Sequence, residues 1–300
     1  MKRVFAIVLS LIIIVSACIC VSAANIGRTD TGEKVVFKVD GWAYKKVNVY
    51  GYEIDEYYGE GTEVNLPWSF AKEYVTSIGD YAFLNNTAVT SVNTTSKIES
   101  IGSYAFNGCT ALKNVTLYDS MTTLGTGCFY GDSALKKINI ADTSIDAVPA
   151  YCFAECGIPT MRLPDTCQSI GHYAFYNCTG LVRIDIPASV TEIADDAFLE
   201  CDNLIIVCPE GSSAAQYAEE KGISYITNES LLMGDANGNS KVNIRDVTCI
   251  QLYLVGDYTF ADSKAYLRAD VDRNGTVNIR DATNIQLYLA DLIPDLDNIK

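Results

Sequence analysis

Two twelve-residue stretches near the end of the sequence place oxygen-bearing side chains at the same five positions. The stretches begin 35 residues apart. Positions 1, 3, 5, 9 and 12 hold Asp or Asn, and position 7 offers its backbone carbonyl, which is the spacing a loop of this length uses to surround Ca²⁺. The predicted ligands of two Ca²⁺ ions are Asp235, Asn237, Asn239, Lys241 (carbonyl), Asn243 and Asp246 in loop one, and Asp270, Asp272, Asn274, Thr276 (carbonyl), Asn278 and Asp281 in loop two.

The two loops differ at position 6, where the sharp turn favours a residue without a Cβ. Loop two has Gly275 there and offers three carboxylates, whereas loop one has Ser240, an early Gly238 and two carboxylates. We therefore expect loop two to bind Ca²⁺ more tightly. The alternative is a pair of Asn/Asp-rich surface turns, which are common. A complete match that occurs twice argues against it.

The similarity of the two stretches continues into the residues that follow them. Cys249–Leu254 is matched by Asn284–Leu289, so the unit is one loop followed by one helix, used twice. Residues 234–292 resemble a type I dockerin, a small all-α domain with paired EF-hand-like motifs. The resemblance implies two Ca²⁺ ions and a partner, the cohesin module of a scaffoldin. It also implies cohesin contacts at loop positions 10 and 11, which are Ile244 and Arg245 in loop one and Ile279 and Arg280 in loop two.

Six segments in the middle of the chain share a frame of about 23 residues, a period typical of leucine-rich repeats. An aliphatic residue is followed five positions later by a phenylalanine, and an apolar-x-x-apolar-x-apolar stretch comes next. Each such unit buries its apolar face by stacking on its neighbours. The aliphatic and aromatic marks are Ile78, Ile101, Leu124, Val148, Ile170 and Ile193 with Phe83, Phe106, Phe129, Phe153, Phe175 and Phe198.

In detail these repeats resemble the BspA-like leucine-rich repeats of bacterial surface proteins; the match is clearest from Ile170 to Pro187. The predicted fold class is therefore α+β, a β-rich leucine-rich-repeat solenoid followed by the dockerin. The predicted boundaries are a β-rich cap over 25–74, repeats with a C-terminal capping helix over 75–226, a linker over 227–233, the dockerin over 234–292 and a tail over 293–300.

Seven of the nine cysteines beyond the first 23 residues fall at fixed positions of the repeat frame. This placement predicts buried small apolar side chains rather than a metal site. Cys249 belongs to the dockerin, and Cys208 has no assignment. A Cys152–Cys156 or Cys201–Cys208 disulfide stays open as an alternative in a secreted protein. The frame cysteines are Cys109, Cys128, Cys152, Cys156, Cys167, Cys178 and Cys201.

The first 23 residues have the features of a secretory signal, since a basic start precedes an apolar run and a small-residue exit at Ala23. The rival reading is a lipobox at Val15–Cys18, which would leave a lipid-anchored Cys18 at the cell surface. No other apolar run is long enough to span a bilayer. The net charge of −15 argues against nucleic acid as a partner.

Little in the sequence points to catalysis. The single histidine, His172, occupies a variable frame position, and the neighbouring carboxylates Asp195 and Asp196 should diverge on a short turn. Only about fifty residues lie outside the repeats and the dockerin, which is too few for a catalytic core with its own cleft. The prediction is a protein that is not an enzyme, although dockerins often accompany polysaccharide-degrading enzymes, which remain a lesser alternative.

Basic residues cluster at the polar positions of the repeat strands. Adjacent repeats would align them into one stripe that attracts an acidic partner, either a protein or an acidic polymer; alternatively, these positions merely hold soluble residues. We predict a secreted, non-catalytic recognition protein attached to a cellulosome-like scaffold in polysaccharide degradation, with a surface adhesin as the alternative. The predicted ligand face consists of Lys113, Lys136, Lys137, Arg162 and Arg183.

Overall fold

The structure, a computed structural model, describes most of the chain from residue 27 onward. The predicted signal segment and the alternative lipidation site Cys18 lie outside the described residues. No helix in the described part of the chain is both long and apolar enough to cross a membrane. The described ranges are 27–30, 35–48, 51–227, 232–261, 263–273 and 275–296.

An antiparallel meander of four strands opens the fold and then joins the repeats. β1 pairs with β2, β2 with β3 and β3 with β4, all antiparallel. β4 then pairs parallel with β7, so the direction changes where the repeats begin. The bounds are β1 Gly27–Asp30, β2 Val35–Val39, β3 Trp42–Asn48, β4 Gly51–Tyr57, β5 Glu63–Asn65, β6 Ser69–Phe70 and β7 Glu73–Ile78.

Each repeat contributes two short strands, which pair in parallel with the equivalent strands of the neighbouring repeats. One ladder, β5, β8, β10, β12, β14, β16, β18 and β19, is divided into two four-stranded sheets. In its three-residue strands the middle side chain points into the core and the flanking two point outward. We call these outward positions the strand face. The remaining strands are β8 Ser91–Asn93, β9 Ser100–Ile101, β10 Asn114–Thr116, β11 Thr123–Leu124, β12 Lys137–Ile138, β13 Ala147–Val148, β14 Thr160–Arg162, β15 Ser169–Ile170, β16 Arg183–Asp185, β17 Glu192–Ile193, β18 Ile205–Cys208 and β19 Ser224–Thr227, with a 3₁₀ turn at Ile140–Asp142.

The repeat phenylalanines form a continuous stack through the solenoid core. Ring centroids of successive residues from Phe83 to Phe198 lie between 4.7 and 5.5 Å apart. Aromatic side chains close both ends of the stack, because Tyr57 stacks on Phe83 at 5.1 Å and Tyr217 meets Phe198 edge-on at 5.9 Å. The two caps therefore shield the ends that an open solenoid would expose.

The frame cysteines are buried free thiols, as the repeat pattern predicts, and Cys208 is also buried and forms no disulfide. Neither of the two alternative disulfides is present. Four of the thiols donate a hydrogen bond to the carbonyl of a phenylalanine one repeat earlier, for example Cys156 Sγ to Phe129 O at 3.0 Å. The others are Cys109, Cys178 and Cys201. The cysteines thus satisfy buried carbonyls in addition to filling space.

A capping helix and a small three-helix domain complete the chain. Helix α1, Ser213–Lys221, begins where the Ser212 side chain accepts a hydrogen bond from Ala215 N, and ends at Gly222, whose φ is 68°. The helices of the last domain are α2 Ile244–Leu254, α3 Ser263–Ala269 and α4 Ile279–Leu289. Within the predicted linker, Thr227 ends strand β19 and Met233 is buried in the core of the last domain.

Candidate functional site

Both acidic loops end at helix N-termini that are capped in the same way. Asn243 precedes α2 and Asn278 precedes α4, and their side chains accept hydrogen bonds from Arg245 N and Arg280 N. The carboxylates at position 12 complete a capping box on each helix. Each loop therefore delivers its last two predicted ligands on a rigid helix end.

The first carboxylate of each loop organises the turn that follows it. In loop one, Asp235 accepts from Asn239 N at 3.0 Å and from Ser240 N at 2.8 Å. In loop two, Asp270 accepts from Gly275 N at 2.9 Å. The carboxylate at position 12 also reaches across each loop, since Asp246 accepts from Asn237 N at 3.1 Å and Asp281 from Asp272 N at 3.2 Å. The carboxylates of both loops are thus held by backbone amides.

Loop two brings three carboxylates together. Oxygen atoms of Asp270, Asp272 and Asp281 all lie within 4.8 Å of one another. Burial, followed by the charge of Asp281, raises the pKa of Asp270 to about 7, and burial raises that of Asp281 to about 6. Burial also raises the pKa of Asp246 in loop one. Buried carboxylates that repel one another fit a hard divalent cation, which would stabilise their ionised forms.

The two loops have the same backbone turn despite their different sequences. Position 6 is left-handed in both, with φ of 65° at Ser240 and 85° at Gly275. Position 4 is also left-handed, at Gly238 and at Arg273. Loop one therefore adopts the turn with the less favourable residue at position 6. Asn274, the predicted ligand at position 5 of loop two, lies outside the described residues.

Helix α3 braces both loops through side chains that the sequence patterns did not single out. Arg268 Nε donates to the carbonyl of Asp235 at 2.8 Å. The Tyr266 hydroxyl donates to the carbonyl of Gly275 at 3.3 Å and accepts from Val277 N at 3.2 Å. These contacts cross between elements, so no spacing within the sequence could have indicated them.

The residues predicted to contact cohesin are exposed at the starts of α2 and α4. Ile244 is 59% exposed and Ile279 is 61% exposed. Arg245 and Arg280 are exposed beside them, and Arg280 Nε lies 3.6 Å from Asp272 in loop two. Both isoleucine–arginine pairs are therefore accessible to a partner.

The predicted basic stripe on the strand face is wrong for Arg183. This side chain is only 1% exposed and binds Asp185 through two hydrogen bonds, because the last domain packs over this end of the strand face. Arg162 is half-buried. Only the three lysines, Lys113, Lys136 and Lys137, stay exposed, and Lys136 also donates to the carbonyl of Gly157.

The carboxylates considered for catalysis have separate partners. Asp195 pairs with Lys221 at 3.0 Å, and Asp196 contacts His172 Nδ1 at 2.9 Å. The His172 side chain is largely exposed. Asp195 and Asp196 therefore diverge, as expected for neighbours on a short turn.

Comparison with known proteins identifies both parts of the chain. A family model described as BspA type Leucine rich repeat region, with six copies, matches residues 146–218, and one described as Dockerin type I domain matches residues 233–290. None of the curated proteins matches the chain.

Similar solved structures are bacterial leucine-rich repeat proteins. That of T. pallidum is 26% identical, with a TM-score of 0.54 over 65% of this chain and 86% of that chain. A leucine rich cell surface protein of Faecalibacterium prausnitzii is 25% identical, with a TM-score of 0.47 over 58% of this chain. The present chain spans 54% of the length of that protein's chain. The protein is thus built from BspA-type leucine-rich repeats followed by a type I dockerin domain.

Proposed function

We propose that this protein is a non-catalytic extracellular recognition protein that attaches to a cellulosome-like scaffold through calcium-dependent binding of a cohesin module. The observation that carries the proposal is the gathering of Asp270, Asp272 and Asp281 within 4.8 Å, next to an exposed isoleucine and arginine that open a capped helix. The same arrangement of cap, isoleucine and arginine recurs at α2.

Calcium would act through the loops on the cohesin-binding residues. Asn243 and Asp246, and likewise Asn278 and Asp281, are both predicted ligands and helix caps. A cation bound by them would therefore fix the start of the helix that presents Ile244 with Arg245 or Ile279 with Arg280. Binding energy of this kind contributes to folding in small metal-binding domains.

The solenoid would supply the recognition function. The outward positions of β5 and β10 are exposed, so this part of the strand face is open, while the dockerin covers part of β14, β16, β18 and β19. Lys113, Lys136 and Lys137 lie at the open end of this face and would attract an acidic protein or polymer on an otherwise acidic molecule. A role in polysaccharide degradation would follow from the scaffold to which the protein is attached.

Capture on immobilised cohesin modules tests the attachment. We expect the full chain to bind at least one cohesin of a panel in Ca²⁺, and a variant with both Asp235→Ala and Asp270→Ala to lose binding. Asp119→Ala, which removes an exposed carboxylate from the solenoid, serves as the matched control and should bind normally. Binding that survives in the double variant would contradict the proposal.

Two alternatives have their own measurements. A lipid-anchored surface adhesin is favoured by Val15–Cys18, and mass spectrometry of the mature N-terminus would detect a lipidated Cys18. A polysaccharide-degrading enzyme is the lesser alternative. Release of reducing sugar from a panel of polysaccharides would reveal such an activity, and we expect none.

A further inference from the structure

The dockerin shares a hydrophobic core with the end of the solenoid. Val207 on β18 and Ile226 on β19 belong to the same buried cluster as Val247 and Ile250 of helix α2. In the preceding strands the equivalent outward positions hold polar residues, such as Asn93 on β8. The outward positions of the strand face thus change from polar to apolar where the dockerin packs. This change is typical of a specific contact surface.

An ion cluster joins the two domains beside this apolar contact. Arg183 on β16 binds Asp185 side-on, with Nε–Oδ1 at 2.5 Å and Nη2–Oδ2 at 2.9 Å. Arg273, at position 4 of loop two, reaches the same carboxylate, with Nη1 3.3 Å from Asp185 Oδ2. A carboxylate shared by one arginine from each domain ties loop two to the solenoid.

Loop two itself lies against the solenoid at its tightest turn. A Cβ built on Gly275 would lie 2.7 Å from Cγ2 of Thr160 on β14. The solenoid therefore lies next to position 6 of the loop.

We propose that the end of the strand face, formed by Thr160, Arg183, Asp185, Val207 and Ile226, is a docking surface for loop two, and that Ca²⁺ binding at this loop and docking of the dockerin stabilise each other. The proposal rests on the proposed Ca²⁺ sites. In addition, the solenoid would support the Ca²⁺ site of loop two. The bound cation would then fix the orientation of the solenoid relative to the scaffold.

Thermodynamic linkage predicts that docking of loop two and Ca²⁺ binding favour each other. Docking holds Arg273 and Gly275 in place, so the docked loop has less conformational freedom to lose when it binds Ca²⁺. Conversely, Ca²⁺ would offset the repulsion among three carboxylates, which otherwise favours an undocked loop. Since coupling between two equilibria is reciprocal, docking raises Ca²⁺ affinity by the same factor by which Ca²⁺ favours docking, and a variant that undocks the loop loses this factor.

Calcium titration of the full chain tests this coupling. Thr160→Tyr places a bulky side chain under Gly275 without changing a charge or a predicted ligand. Asn114→Tyr is the matched control, since Asn114 is an exposed outward residue two repeats away on β10. We expect Thr160→Tyr to lower one of two Ca²⁺ affinities by about fivefold or more, a typical coupling factor. The wild type and Asn114→Tyr should have the same pair of affinities.

A second variant and a second readout make the outcome decisive. Val207→Ala removes an apolar contact without changing a charge and should lower the same affinity. Small-angle X-ray scattering in Ca²⁺ should show a larger radius of gyration for Thr160→Tyr than for the wild type. Unchanged affinities in both variants would overturn the coupling, as would a wild type as extended as Thr160→Tyr. A wild type that binds no Ca²⁺ at all would instead contradict the proposed function.

Discussion

Position 6 has a left-handed backbone in both loops, although only loop two has a glycine there. Ser240 adopts the same left-handed backbone as Gly275, although a side chain makes that conformation costlier by about 1 kcal/mol. Loop one also lacks the third carboxylate that Asp272 supplies in loop two. Both differences can be seen in the sequence, and the structure adds that the turns are nevertheless the same.

We expect the two loops to differ in Ca²⁺ affinity. Asp270→Ala should weaken total Ca²⁺ binding more than Asp235→Ala, because Asp270 belongs to the loop with three carboxylates and the better turn. Calorimetric titration of each variant with Ca²⁺ measures the difference. Equal losses of Ca²⁺ affinity, or a larger loss for Asp235→Ala, would show that the number of carboxylates does not decide which loop binds Ca²⁺ more tightly.

A second prediction follows from the pKa values in loop two. Without Ca²⁺, Asp270 and Asp281 have pKa values of about 7 and about 6, above those of the unfolded chain. The folded apo loop therefore takes up protons, so the apo dockerin should lose stability as pH rises from about 4 to about 7. Protons and Ca²⁺ compete for the same oxygens, so Ca²⁺ affinity should fall between pH 8 and pH 5.5. Titrations at these two pH values should differ; a pH-independent affinity would contradict the assignment.

A third prediction concerns Asp132, which occupies a cysteine position of the repeat frame. Its side chain is fully buried, accepts from Cys109 N at 2.8 Å, and has its pKa raised well above 3.8 by burial. A raised folded pKa means that stability falls as pH increases. Asp132→Asn should raise the melting temperature of the solenoid at pH 7. Its free energy of unfolding should increase by about 1–3 kcal/mol at this pH and by less at pH 4. Asp119→Asn, at an exposed residue, is the control and should change neither the melting temperature nor the free energy of unfolding.

At the scale of elements, the dockerin helices α2 and α4 repeat one design. Each begins with an asparagine cap, a capping box and an exposed isoleucine followed by an exposed arginine. The sequence indicated this repetition because identical short motifs fold into identical caps. It could not indicate the braces from α3, since Tyr266 and Arg268 reach the loops only through tertiary packing.

Equal helix starts predict that cohesin can be bound in two orientations. Replacing Ile244 and Arg245 with alanine, or Ile279 and Arg280 with alanine, should each leave most of the affinity, while replacing both pairs should remove it. Surface binding with an immobilised cohesin gives the three dissociation constants. If either single pair abolished binding, the two helices would not be equivalent.

At the scale of the whole molecule, the sequence predicted the two domains but not their contact. Frame periodicity placed the strands and the phenylalanine stack, because stacked repeats bury the same positions in every unit. The same periodicity made Arg183 look equivalent to Lys137, one of the exposed basic residues. Arg183 differs only because the dockerin covers it, and a pattern local to one repeat contains no information on a domain that follows 50 residues later.

Calorimetric titration of the full chain with a cohesin module, in Ca²⁺ and then in excess chelator, tests whether Ca²⁺ controls attachment. We expect binding in Ca²⁺ and none in chelator. A scanning-calorimetry trace of the same chelated sample should keep the solenoid transition and lose or lower that of the dockerin, because the solenoid has its own large core. Equal cohesin affinity with and without Ca²⁺ would show that attachment does not depend on the cation.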